Sequence, residues 1–421
     1  MATTYLTRTF STPTSDKIFT LSTWLKKSDL GNTIMILSAG SDGSNECNLR
    51  FVTDQLQFAQ DVGGSAEFNI STTAVFRDVS AWYHVVLSVD TSQATSSDRV
   101  KMYVNGVQQA VGGTYPSQNI DTLINASASH SIGKRNYDSA QYFDGYMSEV
   151  IFVDGTALDP TSFGQFNANG IWTPIPIGIS SYGTNGFRLK FENSASLGLD
   201  SSPNGNNFTV NNLTSVDQST DTSTNNFCTA NPLSKSSSIT TANGNLSITM
   251  PSSTFQSAMA TIAVDQGKWY WEQKVSSLGI INCGVTKSKQ DGTTHSSVDA
   301  GRVMYSSNGN IYDEGFANSP IATGTTFTTN DIIGIALNLD AGTIGFYKNG
   351  SLIYTYSNAG LTTNEMTPAW GLYSATWDLN FGSPPFTISS GNSDADGYGN
   401  FEYAVPSGYY ALCTKNLAEY G

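Results

Sequence analysis

Asn330-Asp331-Ile332-Ile333-Gly334-Ile335-Ala336-Leu337-Asn338-Leu339-Asp340, followed by Gly342-Thr343-Ile344-Gly345-Phe346-Tyr347-Lys348-Asn349-Gly350, is the stretch that decides the fold. Ile333, Ile335, Leu337 and Leu339 fall on one side of an extended chain, the period of two that marks a half-buried strand. One hairpin turn is expected at Asp340–Gly342. A second is expected at Asn349-Gly350, the dipeptide suited to the φ > 0 positions of a tight turn. Strand, turn, strand, turn is an antiparallel sheet.

Upstream lie GKWYWEQKV (Gly267–Val275), CGVTK (Cys283–Lys287) and Gly309-Asn310-Ile311-Tyr312, and downstream Pro368-Ala369-Trp370 and Leu379-Asn380-Phe381-Gly382. In this order the motifs resemble a SPRY domain nearly end to end, over a segment placed at 228–421. The resemblance implies a β-sandwich that binds proteins through loops and carries no catalysis. Trp269, Tyr270 and Trp271 are consecutive, so one must face away from the other two, and core packing is expected for two of them.

The first segment, 1–172, repeats the pattern. In Phe19-Thr20-Leu21-Ser22-Thr23-Trp24-Leu25, Phe19, Leu21, Thr23 and Leu25 share one face and Thr20, Ser22 and Trp24 the other. Strands are also expected at Ile34–Ser38, Leu49-Arg50-Phe51-Val52, Trp82–Val89, Val100–Val104 (leading into Asn105-Gly106) and Phe143–Val153. FTLSTWLK, WYHVVLSVD…VKMYVNGV and SIGK…YFDGYMSEVIFVDGTALDP resemble the laminin-G-like branch of the concanavalin-type jelly rolls over about 150 residues. That likeness implies two packed antiparallel sheets and adhesion to glycans or proteins. The fold class is therefore all-β: two antiparallel β-sandwiches, a concanavalin-type jelly roll and then a SPRY-like sandwich.

Between them, residues 193–226 hold 20 Ser, Thr or Asn among 34, with three Asp and neither Lys nor Arg. So little apolar surface offsets the entropy of ordering poorly. Residues 173–227 are expected as a polar arm, either a linker or a strand-poor segment laid over a neighbour, with Phe187, Leu189 and Phe191 alternating in a last strand. ALDPTSFGQF, SYGTNGF, SSPNGNNFTVNNLT, TNNFCTANPL and ALCTKNL resemble tracts of large virion proteins of marine tailed bacteriophages. This implies a virion surface location, on tail or capsid exterior, among other virion proteins and in a homo-oligomer, a trimer favoured.

Composition narrows the classes of function. Of 421 residues only 13% are charged, and the net charge is −14, distributed as −6, −2 and −6 over the three segments. With no basic segment, nucleic acid is not an expected partner, and an anionic membrane is a poor one. No apolar run is long enough for a membrane span, and MATTYLTRTF has no hydrophobic signal region, so neither insertion nor signal-directed export is expected. Four cysteines (Cys47, Cys228, Cys283, Cys413) form no CxxC pair and read as small buried hydrophobes. Cys228 and Cys413, at the two ends of the SPRY-like segment, are expected near one another without a bond, in a reducing cytoplasm.

No catalytic residue is expected. Glucanase relatives of the laminin-G-like fold carry closely spaced acids on one strand, whereas Asp144 and Glu149 are five apart and point to opposite faces. His84, His130 and His295 are scattered, and no Gly-x-Ser-x-Gly elbow is present. Calcium is the one cofactor with a foothold. Asp394-Ala395-Asp396-Gly397-Tyr398-Gly399-Asn400 alternates oxygen-bearing side chains, Asp394, Asp396 and Tyr398 being the candidates. Val405 stands where an EF-hand loop carries its Glu. Asp42-Gly43-Ser44-Asn45-Glu46 is a weaker version, and an Asx-rich turn is the alternative for both. The function expected is that of a tail-fibre or adhesin component binding a host-surface glycan or protein. The rivals are a capsid decoration or head-attached structural protein and a polysaccharide depolymerase.

Overall fold

A computed structural model describes residues 3–251, 253–288, 301–313 and 320–421. The chain forms two compact units, Met1–Gln218 and Ser219–Gly421.

In the first unit an eight-stranded and a six-stranded antiparallel sheet enclose one core. The alternation in Phe19–Leu25 sends Phe19, Leu21 and Leu25 inward with Val85, Leu87 and Phe152. They meet Leu49, Phe51, Phe58 and Ile70 of the opposite sheet. Asn105 and Gly106 both have positive φ, 49° and 78°, and close the hairpin between Val100–Val104 and Val107–Gln108. The outer face of the six-stranded sheet is buried too. Val86, Ile151 and Val153 are covered by Phe163, Tyr182, Leu158, Ile177 and Ile179.

As far as Gln218 the tract expected as a polar arm belongs to this unit, a strand-poor segment laid over its sheets and not a linker. Phe187–Leu189 pairs with Val150–Phe152, and Thr209–Asn211 with Tyr5–Thr7. Phe187 and Phe208 pack edge to face at 4.7 Å. Phe191 has φ +58° and ends the strand that its alternation suggested would continue.

Amides replace the missing apolar surface. Asn204 Nδ2 donates to the carbonyls of Gly183 and Gly186, and Asn206 Nδ2 to those of Thr184 and Gly186. Asp200 accepts from the backbone N–H groups of Arg188, Ser202 and Asn206. Loop carbonyls and N–H groups that would be orphaned on burial are thereby satisfied by side chains of the tract.

The second unit packs a seven-stranded sheet on an eight-stranded one. Ile332–Asn338, Thr343–Lys348 and Ser351–Ser357 form the two expected hairpins, with Asn349 and Gly350 at φ 47° and 79°. Trp269, Tyr270 and Trp271 are all buried. The reason is that both faces of their sheet are covered. Trp269 and Trp271 pair in register with Leu337 and Ile335 on the inter-sheet side. Tyr270 and Ala336 face a second cluster made by Phe227, Phe401, Ala411 and Cys413.

The two ends of this unit meet. Phe227 bridges Cys413, Cys228 N–H donates to Leu412 O at 3.1 Å, and Lys415 N–H to Asn225 Oδ1. Cys228 and Cys413 are therefore neighbours, as expected. Both are buried, and no disulfide joins them. Cys413 shares the face of its bridge partner Phe227, whereas Cys228 contacts Thr261 Oγ1. Opposed side-chain directions rule out the geometry a disulfide requires.

Candidate functional site

Of the residues considered for catalysis, Glu149, His84 and His130 each have a partner within the domain. Glu149 sits at a β-bulge with φ +51° and is held by Arg188, Nε to Oε2 at 2.7 Å. Asp144 precedes that strand, and burial, with the field of Asp29, raises its carboxyl above the usual range. His84 is buried between sheet and cover. Trp172 Nε1 donates to His84 Nδ1 at 2.9 Å, and His84 Nε2 lies 2.8 Å from Ser22 Oγ. With Nδ1 accepting, the neutral ring carries its hydrogen on Nε2 and donates it to Ser22. That polarity is the reverse of a serine–histidine nucleophile pair. His130 stacks on Phe10 at 3.7 Å inside the core. His295 lies outside the described residues.

Asp394, Asp396 and Tyr398 do come together, but around protein donors. Asp394 Oδ1 accepts from the N–H groups of Asp396 and Tyr398, and Oδ2 from Ala411 N–H and Asn416 Nδ2. Four bonds occupy the carboxylate, so the loop is an Asx-type turn that anchors the C-terminal helix Thr414–Tyr420. Asp42 likewise accepts from Ser44 N–H and Asn45 Nδ2, and Glu46 is paired with Arg135. Among the described residues no cluster of three His, Cys, Asp or Glu is placed to hold a metal.

A row of polar side chains lies on the outer face of the first unit's eight-stranded sheet. Leu49 and Phe51 point into the core, so Arg50 points out. Register then sets it beside Gln57, and Gln57 beside Ser71, across three strands. Arg50 Nε donates to Gln57 Oε1 at 2.8 Å, and Gln57 Nε2 to Ser71 Oγ at 3.2 Å. One rung along, Ser38 Oγ donates to Asn48 Oδ1 at 2.8 Å, and exposed Asn69 closes the row beyond Ala59.

The segment 133–143 lies against strand Ile34–Asp42, through Asn136 N–H to Ser38 Oγ and Met35 N–H to Gln141 O. It brings two half-buried tyrosines, Tyr137 and Tyr142, beside half-buried Tyr5 of strand Tyr5–Thr9. Arg135 lies 4.5 Å from the Tyr137 ring and makes a bidentate pair with Glu46, and Lys134 lies 4.3 Å from the ring of Tyr5, itself beside Tyr142. The result is a set of amide, hydroxyl and guanidinium groups in fixed register, in which Ser38, Asn48 and Gln57 are buried, Arg50, Ser71 and the bordering phenol rings are half-buried, and Asn69 is exposed. Sequence reading placed a strand at Leu49–Val52 but not this face. The available signal was Arg50 between two core residues.

Residues 2–161 match the concanavalin A-like lectin/glucanases superfamily. Residues 268–384 match the SPRY domain. The chain carries a concanavalin A-like domain followed by a SPRY domain. Among curated proteins, the probable ATP-dependent RNA helicase ddx1 of Dictyostelium discoideum is 32% identical over 139 residues, 32% of this chain and 17% of that protein. The chain thus matches about a sixth of the length of that relative. Among solved structures, the SPRY domain of human HERC1 is 21% identical with TM-score 0.31, over 36% of this chain and 96% of that one. The stonustoxin structure is 19% identical with TM-score 0.30, over 36% and 27%.

In the unit that carries the SPRY domain, residues beyond the matched range lie across the second face of its eight-stranded sheet, and Glu272 binds them. Its carboxylate accepts from Glu402 and Tyr403 N–H, both at 2.8 Å, and from Tyr270 OH and Asn380 Nδ2. Burial pushes Glu272 up to about 7, and these donors limit the rise. A carboxyl whose folded value is raised stabilises fully below its unfolded value and loses that contribution as pH rises through the folded one. The SPRY domain is therefore expected to lose about 3 kcal/mol between pH 4.5 and 8. Urea titrations of the full chain, read by hydrogen exchange in this domain, should show that slope and show it flattened in Glu272→Gln.

Proposed function

We propose that the chain is a non-enzymatic attachment protein of a virion surface, a tail-fibre or adhesin component. Its concanavalin A-like domain engages a cell-surface glycan through the outer face of the eight-stranded sheet. The observation that carries this reading is the Arg50–Gln57–Ser71 row, whose groups are ordered by hydrogen bonds to one another before any ligand arrives. Preordered donors and acceptors reduce the entropic cost of binding a hydroxyl-rich partner. The neighbouring strands stand about 4.8 Å apart, a spacing on the scale of a sugar ring. Tyr5, Tyr137 and Tyr142 offer ring faces at its border.

The reversed Ser22–His84 polarity and the Arg188-bound Glu149 support a binding role over hydrolysis. The virion setting draws its support from the Asn-rich tracts, and the net charge of −14 suits a crowded surface by opposing self-association. Many copies on one particle would turn weak sites into firm attachment.

Incubating the full chain with host-surface polysaccharide tests the reading, together with mass spectrometry of purified virions. Retention of the protein on the polysaccharide without new reducing ends, and its presence in virions, are expected. Reducing ends that appear with the wild type and vanish in Asp144→Asn/Glu149→Gln would establish a depolymerase instead.

A further inference from the structure

The sheet face carries a guanidinium that makes no close ion pair among the described residues. Arg135, the other guanidinium on this surface, is neutralised by a bidentate pair with Glu46 at 2.6 and 2.9 Å. Arg50 makes no ion pair among the described residues. Its Nε–H is spent on Gln57 Oε1, and Gln57 is itself fixed by Ser71, so the guanidinium plane is held, and among the described residues neither Nη group has a hydrogen-bond partner. Burial draws Arg50 below the ordinary guanidinium range, Glu46 and Asp61 opposing and Arg135 adding to that effect. A partly desolvated cation that makes no close ion pair, its burial offset only by the fields of Glu46 and Asp61, gains from a ligand that brings an anion within hydrogen-bond reach.

We propose that the glycan engaged by this face is acidic, and that Arg50 anchors its anionic group through a two-pronged hydrogen bond from Nη1 and Nη2. This deepens the glycan reading above and rests on it. A guanidinium fork matches the paired oxygens of a carboxylate or of a sulfate ester. Tyr137 lies within the electrostatic reach of Arg50 and offers a ring face for the sugar that bears the anion. Ser71 and Asn69 stand along the same rows for the hydroxyls of its neighbours. Gln57 is a positioning residue, because it acts on the ligand through Arg50.

The test measures binding of the full chain to polygalacturonate, to a sulfated galactan and to neutral galactan at low and moderate salt. Preference for one of the anionic polymers is expected, and which one identifies a carboxylate or a sulfate as the anchored group. Arg50→Gln should weaken that binding about tenfold or more and leave any binding to neutral galactan unchanged. Arg50→Lys, which keeps charge but not the fork, should recover only part. Should Arg50→Gln fail to fold, the salt dependence of the wild type serves instead. Binding to the anionic polymer should fall with salt while binding to the neutral one does not. Equal affinity for all three, or no loss in the folded variant, overturns the acidic-glycan inference and leaves the glycan reading standing. Binding to none of the three overturns both.

Discussion

Acidifying the protein from pH 7 to pH 4 is expected to destabilise the concanavalin A-like domain by about 3 kcal/mol for each of two buried histidines. Burial lowers His84 from its ordinary 6.5 to about 3. It lowers His130 to about 4, against the pull of Ala128 O. A histidine with a depressed folded value contributes stability that is fully present above the unfolded value. That stability is lost as pH falls through the folded one, because the unfolded chain takes up the proton first. Protonating His84 also removes the lone pair that accepts from Trp172 Nε1, a bond inside the Trp24, Trp82 and Trp172 cluster. Hydrogen exchange in urea, read separately over residues 3–218 and over the remainder of the full chain, should show the first set weakening below pH 6.5. Over pH 4.5 to 7 the SPRY domain should move the other way, because of Glu272. A concanavalin A-like domain equally stable at pH 4 and pH 7 would refute the burial argument.

Asp154→Ala is expected to cost more than 4 kcal/mol, a size reserved for the loss of a buried network. The Asp154 carboxylate accepts from Thr14 N–H (2.7 Å), Ser15 N–H (3.1 Å), Asn185 N–H (3.0 Å) and Asn125 Nδ2 (2.7 Å). These donors come from the N-terminal segment, the Asn-rich tract and the loop before Ser129–Ile132. One side chain thus ties three distant parts of the chain to the end of strand Gly145–Asp154. Alanine strands four donors, those of Asn125 and Asn185 buried and those of Thr14 and Ser15 partly so, and a buried donor left unsatisfied costs about 1–3 kcal/mol. Asparagine keeps the shape but turns an N–H₂ toward two of them, so about half the loss is expected. Urea denaturation midpoints at constant m-value give the comparison, and a loss below 1 kcal/mol for alanine would contradict the role assigned to Asp154.

The strands were legible because their reason is local. Ile333, Ile335 and Leu337 alternate within seven residues, and Asn349-Gly350 states its own turn. For the Asn-rich tract, composition leaves a linker and a segment laid over a neighbour both open, because its partners are remote. Asn185 bonds Ser11, 174 residues away, and Asn206 bonds Arg8, 198 away. Composition counts apolar surface but not amides that happen to meet backbone carbonyls. The acidic loop at Asp394 shows a related limit. Its spacing suits a cation, yet the same oxygens suit backbone N–H groups, and only the fold brings Ala411 and Asn416 within reach. The candidate face was half legible. Arg50 between Leu49 and Phe51 points outward by alternation alone. That Gln57 and Ser71 stand beside it depends on a register set by two hairpins, and that Arg50 is unpaired depends on where Glu46 and Arg135 lie.

The most direct test of the account is a glycan-array measurement on the full chain beside Gln57→Ala/Asn69→Ala/Ser71→Ala. These three changes remove polar groups from the outer face while leaving the core residues of the same strands in place. The account predicts that the wild type retains a defined set of glycans and that the folded triple variant loses them. A folded variant that binds the same glycans as the wild type would contradict it, and so would a wild type that binds none.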